Sequence, residues 1–592
     1  MNKTINIKLL SLLSGLIVLG SLFIGCSSVN SKSISNETIK DSSVPQNLIV
    51  PTLAYNDNSI TLAWHKPDNY KDITKYNIYL NGKYIGNTNS ISSKSKSLVD
   101  NFYKDPSNNS AVKISEHTYT VTGLKPNTTY KFTVRSVNNN GTESKDSNTI
   151  IETTTKIPKI FDVTRYGAIG DGQSLDTKSI QAAIDASTNG SEVILPSGKT
   201  FKSGALWLKP GIIFRVDGTL IGSDNPEDYI KTDATSKDTN KSNALINAIG
   251  TNNSKDLKII GSGTIDGNGW KQGNADALTG FPNSLKSSLK TVSGNGILAA
   301  NQFKLAKNNG LSDTKAYSTR SNLVSISHID NVYLGDGLSF ENPSQHTIVT
   351  SHCNNTVLNG ALVKTFDCNN ADGIDFDSNG LIVLNSVFDT GDDDINFTAG
   401  KGAEDEKTRN PVDNVWIFDN YFAHGHGAVV AGSNTAAWIE NILAEDNVLN
   451  GTGAGLRCKT TPQTGGGAKN ITFRDSALKN ITDSEGEPFT FTSNYSDSNK
   501  AQGFKPALNL PQFKDISVIN CSIDSSKSNA IFVSGLKDSY DDNINFADTS
   551  FKNTKPASIN YLSNSTFKNI TFDANIKNPW ITSNSKNLVF EK

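Results

Sequence analysis

The chain has 592 residues, with 58 acidic and 56 basic side chains and a formal charge of −2. Near neutrality excludes the global basic field that draws a protein to nucleic acid, so any acidic ligand has to be recognised by a few local cations. Abundant Asn, Ser, Thr and Gly, with Met only at position 1, fit an all-β exported protein better than a helical cytosolic one.

Lys3 and Lys8 precede an apolar run from Leu9 to Gly25, which ends at Cys26 followed by Ser27 and Ser28. A basic start, an apolar core and a small residue at the cut describe a secretory signal. A Cys directly after that small residue resembles a bacterial lipoprotein signal, although Phe23 stands where such signals usually carry Leu. The resemblance implies that residues 1–26 are a signal segment in which Cys26 becomes the lipidated first residue. An ordinary cleaved signal and an uncleaved anchor are the alternatives. The expectation is a protein outside the cytoplasm, anchored through lipid at the bacterial surface. Residues 27–44, rich in Ser, Asn and Lys, read as a flexible tether.

Residues 45–156 carry short alternating strands, among them Ile60–Trp64, Lys75–Tyr79 and Tyr130–Val134. Turn signals stand between them at Asn81-Gly82, Lys125-Pro126-Asn127 and Asn140-Gly141. Trp64 is the expected core anchor, and Leu124 through Tyr130 looks like the tyrosine corner of a β-sandwich. The segment resembles a fibronectin type III domain and carries no obvious chemistry. Its expected role is a spacer or docking module, with carbohydrate binding as the alternative.

From Ile160 the pattern changes. A helical stretch from Lys178 to Ser187 places Ile180, Ala183 and Ile184 on one face and is expected to cap the repeat that begins after it. Then an Asn, Asp or Gly before an aliphatic strand recurs at Asp256, Asn331, Gly380, Asn414, Asn441, Asn470, Asp515, Asn543 and Asn569. Most neighbouring spacings lie between 25 and 35 residues, a period that signals a solenoid, propeller or array. The units are short for a propeller blade, whereas a parallel β-helix of stacked coils buries an aliphatic column and lines its turns with Asn ladders. The segment from Phe281 to Asn322 departs from the repeat and is expected to be a large loop walling off a groove. The five cysteines, Cys26, Cys353, Cys368, Cys458 and Cys521, form no C-x-x-C pair. That disfavours a structural zinc site, and buried thiols are expected rather than a Cys353–Cys368 bridge.

Four polar islands interrupt the repeat: Asn370-Ala371-Asp372-Gly373, Gly391-Asp392-Asp393-Asp394, Gly425-His426-Gly427 and Arg457-Cys458-Lys459. Leu381 to Asp392 and Val415 to His426 are both offsets of 11 residues, so Asp392 and His426 fall at equivalent points of successive coils. Coils lie about 4.8 Å apart, close enough for one shared site. Glycoside hydrolysis needs one protonated carboxyl and a second carboxylate to attack or to activate water, and crowding of carboxylates raises the pKa of at least one. Arg457 and Lys459 alternate along a strand and are expected to face an acidic sugar together. Taken alone, Gly391–Asp394 also fits a calcium loop or a solvated turn.

In this order the islands resemble the motifs of glycoside hydrolase family 28, the polygalacturonases, with Ala371 and Cys458 replacing a Thr and an Ile. The resemblance covers about residues 160–592 of an expected β-helix domain at 157–592, including Gly261 to Gly267. It implies a right-handed parallel β-helix and an inverting mechanism that needs no cofactor or metal. Asp392 resembles the general acid, Asp372 and Asp393 the carboxylates that activate water, and His426 the partner of the acid. Tyr495 resembles the family's active-site tyrosine, beside Arg457 and Lys459 in substrate binding. Asp394 to Gly400, Gly425 to Ser433, Trp438 to Glu440 and Gly465 to Ala468 are similar to bacterial exo-poly-α-galacturonosidases. The implied activity is exo-hydrolysis of α-1,4-galacturonan by a monomer. Endo-polygalacturonase, rhamnogalacturonan hydrolase, calcium-dependent pectate lyase and a surface adhesin are the alternatives.

Overall fold

The computed structural model describes residues 43–230, 242–251, 253–270, 297–366, 368–481, 486–495 and 503–592. The signal segment with Cys26, all but two residues of the tether, and residues 281–296 of the expected loop lie outside them.

Seven strands form the sandwich. Gln46–Ile49, Ser59–His65 and Thr118–Thr122 make one sheet, and Lys83–Asn87, Ile73–Leu80, Thr129–Asn138 and Ile150–Thr153 the other. Period-two alternation sends Ile60, Leu62 and Trp64 from one sheet, and Tyr76, Ile78, Phe132 and Val134 from the other, into a fully buried layer. Asn81 and Gly82 both have positive φ, 51° and 79°, as a two-residue hairpin turn demands. The Tyr130 hydroxyl accepts the Lys125 N–H at 2.8 Å and closes the tyrosine corner. A helix that strand periodicity does not announce, Lys94–Lys104, is inserted after the fourth strand and capped by the Ser93 hydroxyl.

From Ile160 the chain winds through three parallel sheets of 14, 13 and 12 strands, the expected β-helix. Leu257, Val332, Leu381, Val415, Ile442, Ile471, Ile516 and Ile544 stack in one register column inside it, all nearly inaccessible. The residue before each of them is left-handed, from Asp256 at φ 67° to Asn543 at 52°. Asn, Asp and Gly tolerate that conformation best, so the repeat read in the sequence is a column of coil corners.

Two departures sharpen the repeat. Asn355, φ 61°, belongs to the column but precedes Thr356 instead of an aliphatic residue and so escapes the pattern. Asn569 does not belong to it: Asn564 occupies the corner, while Asn569 comes after the strand and donates to Asp548 at 2.8 Å in a second left-handed column. Side-chain amides join neighbouring coils here, Asn470 to the Asn441 corner at 3.3 Å and Asn441 to Asp413, beside the Asn414 corner, at 2.7 Å. Asn441→Ala is therefore expected to destabilise the solenoid by about 1–2 kcal/mol, through the left-handed backbone alone. Asn441→Gly, which keeps the backbone and loses only the ladder, should lose clearly less in urea unfolding.

Helix Thr177–Ala186 covers the first coil with Ile180, Ala183 and Ile184, all fully buried. The described part of the expected Phe281–Asn322 loop is helical instead, with helices Leu298–Asn308 and Asp313–Tyr317. Ala299, Phe303 and Ala316 pack there on Trp270, Cys368 and Ala371, so an apolar face drives the helix. Cys353, Cys368, Cys458 and Cys521 are all buried.

The sandwich is more than a spacer, because it is packed on the flank of the solenoid. His65 stacks on Trp416 with ring centroids 4.3 Å apart, and His117 on Phe418 at 4.6 Å. Val99 and Phe102 of the inserted helix join Val387, Tyr421, Val448 and Ala477. Between these contacts Lys66, buried, ion-pairs with Asp446, with Asp475 at 2.7 Å and with Glu445 at 3.5 Å.

Candidate active site

The four islands enter consecutive strands of the 12-stranded sheet: Ile374–Asp377, Ile395–Phe397, Val429–Ser433 and Leu456–Thr460. Ile374, Ile395, Val429 and Leu456 are in register, so Asp372 and Asp393 occupy the same position on neighbouring coils. Backbone bonds tie the islands together, with the Gly373 N–H donating to the Asp393 carbonyl at 2.8 Å and the His426 N–H to the Asp392 carbonyl at 2.9 Å. The equal offsets read in the sequence thus become one cluster.

His426 Nδ1 lies 3.0 Å from Asp392 Oδ1, and the Asn370 amide reaches Asp392 Oδ2 at 3.5 Å. Lys459 Nζ is 2.7 Å from Asp393 Oδ2, with an Arg457 guanidinium nitrogen 3.9 Å from the other oxygen. Both cations are buried against Asp393 instead of standing open to solvent. Tyr495 completes this corner, its ring centroid 5.4 Å from Lys459 Nζ and 5.8 Å from the Arg457 guanidinium carbon. Asp394 points the other way, fully buried, accepting from the Thr390 and Thr452 hydroxyls at 2.7 and 2.8 Å. A Cβ on Gly425 would fall 2.5 Å from that carboxylate, and φ is 149°, so the position before His426 admits only glycine.

The protonation pattern separates the carboxyls. Burial raises Asp372 well above the usual carboxylate range, aided by Asp375 and opposed by His346, and burial raises Asp394 likewise. Burial pushes Asp392 upward as well, but His426 and then Lys459 outweigh it and hold this carboxyl below its ordinary value in the free site. A carboxyl in the cleft is raised as expected, but it is Asp372, and burial does more of it than crowding. Asp392, Asp393 and His426 bring one donor atom each within 4.8 Å of one another, as do His346, Asp372 and Asp375. Asp393 already has its charge met by Lys459 and Arg457, which leaves this group a poor cradle for a hard divalent cation.

Sequence reasoning missed His346, Asp375, Asn396, Tyr317 and Arg320. His346 Nδ1 is 3.2 Å from carboxylate oxygens of both Asp372 and Asp375. It stands two residues before Ile348, as Asp372 stands before Ile374, so the strand offset that located the islands would have found it. Arg320, fully buried, stacks on Tyr317 at 4.0 Å and donates to the Asn370 amide oxygen at 2.9 Å. Tyr317 hydrogen-bonds Asn369 and Asn370. The helical insertion thus ends on the first island.

The model of glycosyl hydrolases family 28 matches residues 187–571, and that of the fibronectin type III domain residues 43–153. Exo-poly-alpha-D-galacturonosidase of Dickeya chrysanthemi is 42% identical over 574 residues, 92% of this chain and 94% of its own length. Endo-polygalacturonase of Pectobacterium carotovorum subsp. carotovorum is 27% identical over 352 residues, 58% of this chain and 76% of its own. The solved structure of the Yersinia enterocolitica family 28 exopolygalacturonase superposes with a TM-score of 0.83 at 38% identity, covering 92% of this chain and 99% of that one.

Proposed function

The chain belongs to glycosyl hydrolase family 28, and on that premise we propose that it hydrolyses α-1,4-galacturonosidic bonds of polygalacturonate from a chain end, with inversion. The observation that carries the reading is the convergence of Asp372, Asp392 and Asp393 with His426, Arg457, Lys459 and Tyr495 at one end of one sheet. Two relatives that match over more than nine tenths of their length and 92% of this chain are exo-acting by name, whereas the endo-acting relative matches 58% of the chain.

In this reading Asp392 gives its proton to the glycosidic oxygen as the bond from the anomeric carbon breaks. Asp372 and Asp393 take a proton from water, which attacks the opposite face. Lys459, Arg457 and Tyr495 bind the uronate. The lowered pKa of Asp392 in the free site is consistent with this order of events. An incoming uronate draws on the Lys459 and Arg457 charge and adds its own negative field, and both raise Asp392 toward the protonated form an acid needs. The raised Asp372 favours a second reading, in which Asp372 carries the acid proton. An aryl galacturonide separates the two, because only the variant lacking the true acid keeps most of its activity on a leaving group that needs no protonation.

The helices at Leu298–Asn308 and Asp313–Tyr317, anchored on Asn369 and Asn370 beside the first island, fit exo action if they close one end of the cleft. Anchoring through a lipid on Cys26 would hold the enzyme, as a monomer, at the cell surface. Cys26→Ala is expected to move it from the detergent to the aqueous phase.

The deciding experiment is a digest of polygalacturonate by residues 27–592, with and without chelator. New reducing ends, no unsaturated uronide and slow viscosity loss with early short products are expected in both. An unsaturated product points to a lyase and overturns hydrolysis, and a rapid viscosity collapse overturns exo action.

A further inference from the structure

We infer that His346 is a positioning residue for the hydrolytic step, acting through Asp372. The inference rests on the reading of Asp372 as a carboxylate that activates water. His346, Asp372 and Asp393 occupy one register position on three successive coils, so the imidazole forms the outer layer of the carboxylate row. Its Nδ1 lies 3.2 Å from Asp372 Oδ1 and 3.2 Å from Asp375 Oδ2. The other oxygens of the two carboxylates share one amide, Asn396 Nδ2, at 3.3 and 2.8 Å. Two buried carboxylates thus share one neutral amide and lie within ion-pair distance of one ring.

An amide orients carboxylates but cannot balance their charge. Among the described residues His346 is the sole ion-pairing partner of Asp372 and of Asp375. The neighbouring charges are otherwise engaged, Lys459 and Arg457 with Asp393, and His426 with Asp392. A carboxylate that takes a proton from water has to begin ionised. Burial and Asp375 push Asp372 the other way, and His346 is the group that opposes them.

His346→Gln keeps the volume and removes the charge, while His346→Lys supplies a fixed cation. The full chain is assayed on a short oligogalacturonate across pH, with thermal melting as the check on folding. For His346→Gln the acidic limb of kcat/KM is expected to move up by about one unit, since Asp372 then binds its proton more tightly. At the wild-type optimum kcat should fall about tenfold with KM within about twofold. For His346→Lys the limb should stay at or below that of the wild type, and if the Gln variant does not fold, this variant alone decides. An unmoved limb in His346→Gln, a rise in KM alone, or an upward shift in His346→Lys overturns the inference. A wild-type protein inert on the oligogalacturonate overturns the parent reading and the inference with it, whereas an active wild type with an unmoved limb overturns the inference alone.

Discussion

Asp392→Asn is expected to lower kcat on polygalacturonate by about 10³–10⁴-fold, the upper part of the range for loss of a positioned acid, and to leave KM within about twofold. The amide has the size of the carboxyl it replaces and still accepts from Asn370, which lies 3.5 Å from Asp392 Oδ2. It still meets the His426 ring, 3.0 Å from the other oxygen. What it cannot do is release a proton to the leaving oxygen. Lys459, Arg457 and Tyr495 are untouched, so the uronate still binds. Steady-state kinetics with reducing-end detection give kcat and KM, and binding of polygalacturonate to the inactive variant is read by calorimetry. Residual activity above one tenth of wild type would remove Asp392 from the acid role. Asp372→Asn is expected to be comparably slow, but its activity on an aryl galacturonide should be lost too, because water activation is needed whatever the leaving group.

Lys66→Met should be the most damaging single change away from the cleft. Lys66 is the one lysine among Glu445, Asp446 and Asp475, all buried where the sandwich meets the solenoid. Arg474 takes part of Glu445 at 2.7 Å and of Asp475 at 3.6 Å, and His117 stands 3.4 Å from Asp446, so these two share but do not replace the Lys66 charge. Removing one partner of a buried ion pair leaves the other charge uncompensated and costs about 3–5 kcal/mol, even where the lost pair itself contributed little. The expected result is release of the sandwich, read as tryptic cleavage in the connecting segment 154–159 and a lower melting temperature. A variant that melts and resists trypsin like the wild type would show that water or rearrangement meets those carboxylates.

The same cluster has a pH signature. Burial alone would depress His117, but Asp419, Asp446 and Glu445 outweigh it and raise it to about 9. Because the folded value is the higher one, this contribution to docking is complete below about 6.5 and is lost as pH climbs through about 9. Lys66 and Arg474 stay charged over that range and Glu116, raised by burial to about 7, ionises within it. The melting temperature is expected to fall between pH 7 and 9.5, and His117→Asn should flatten that slope.

The sequence by itself determined the β-helix and three carboxylates of its site, Asp372, Asp392 and Asp393. Each coil must turn through a left-handed corner that few residues tolerate and then bury an aliphatic residue, so Asn441-Ile442 and its counterparts are visible one coil at a time. Strands in register carry equal offsets into equal positions, which is why Asp392 and His426 were legible as neighbours from their spacing. Tertiary structure alone decided the rest. Lys66 finds Asp446 across 380 residues and Asp475 across 409, and no local period links them. His346 carries the register of Asp372 and could have been found by the same offset, but its contacts with Asp372 and Asp375 belong to the packed chain. The direction of each proton equilibrium depends on burial and on the nearest charge, and this put Asp372 high and Asp392 low. Residue type alone contains neither quantity, because both belong to the packed chain.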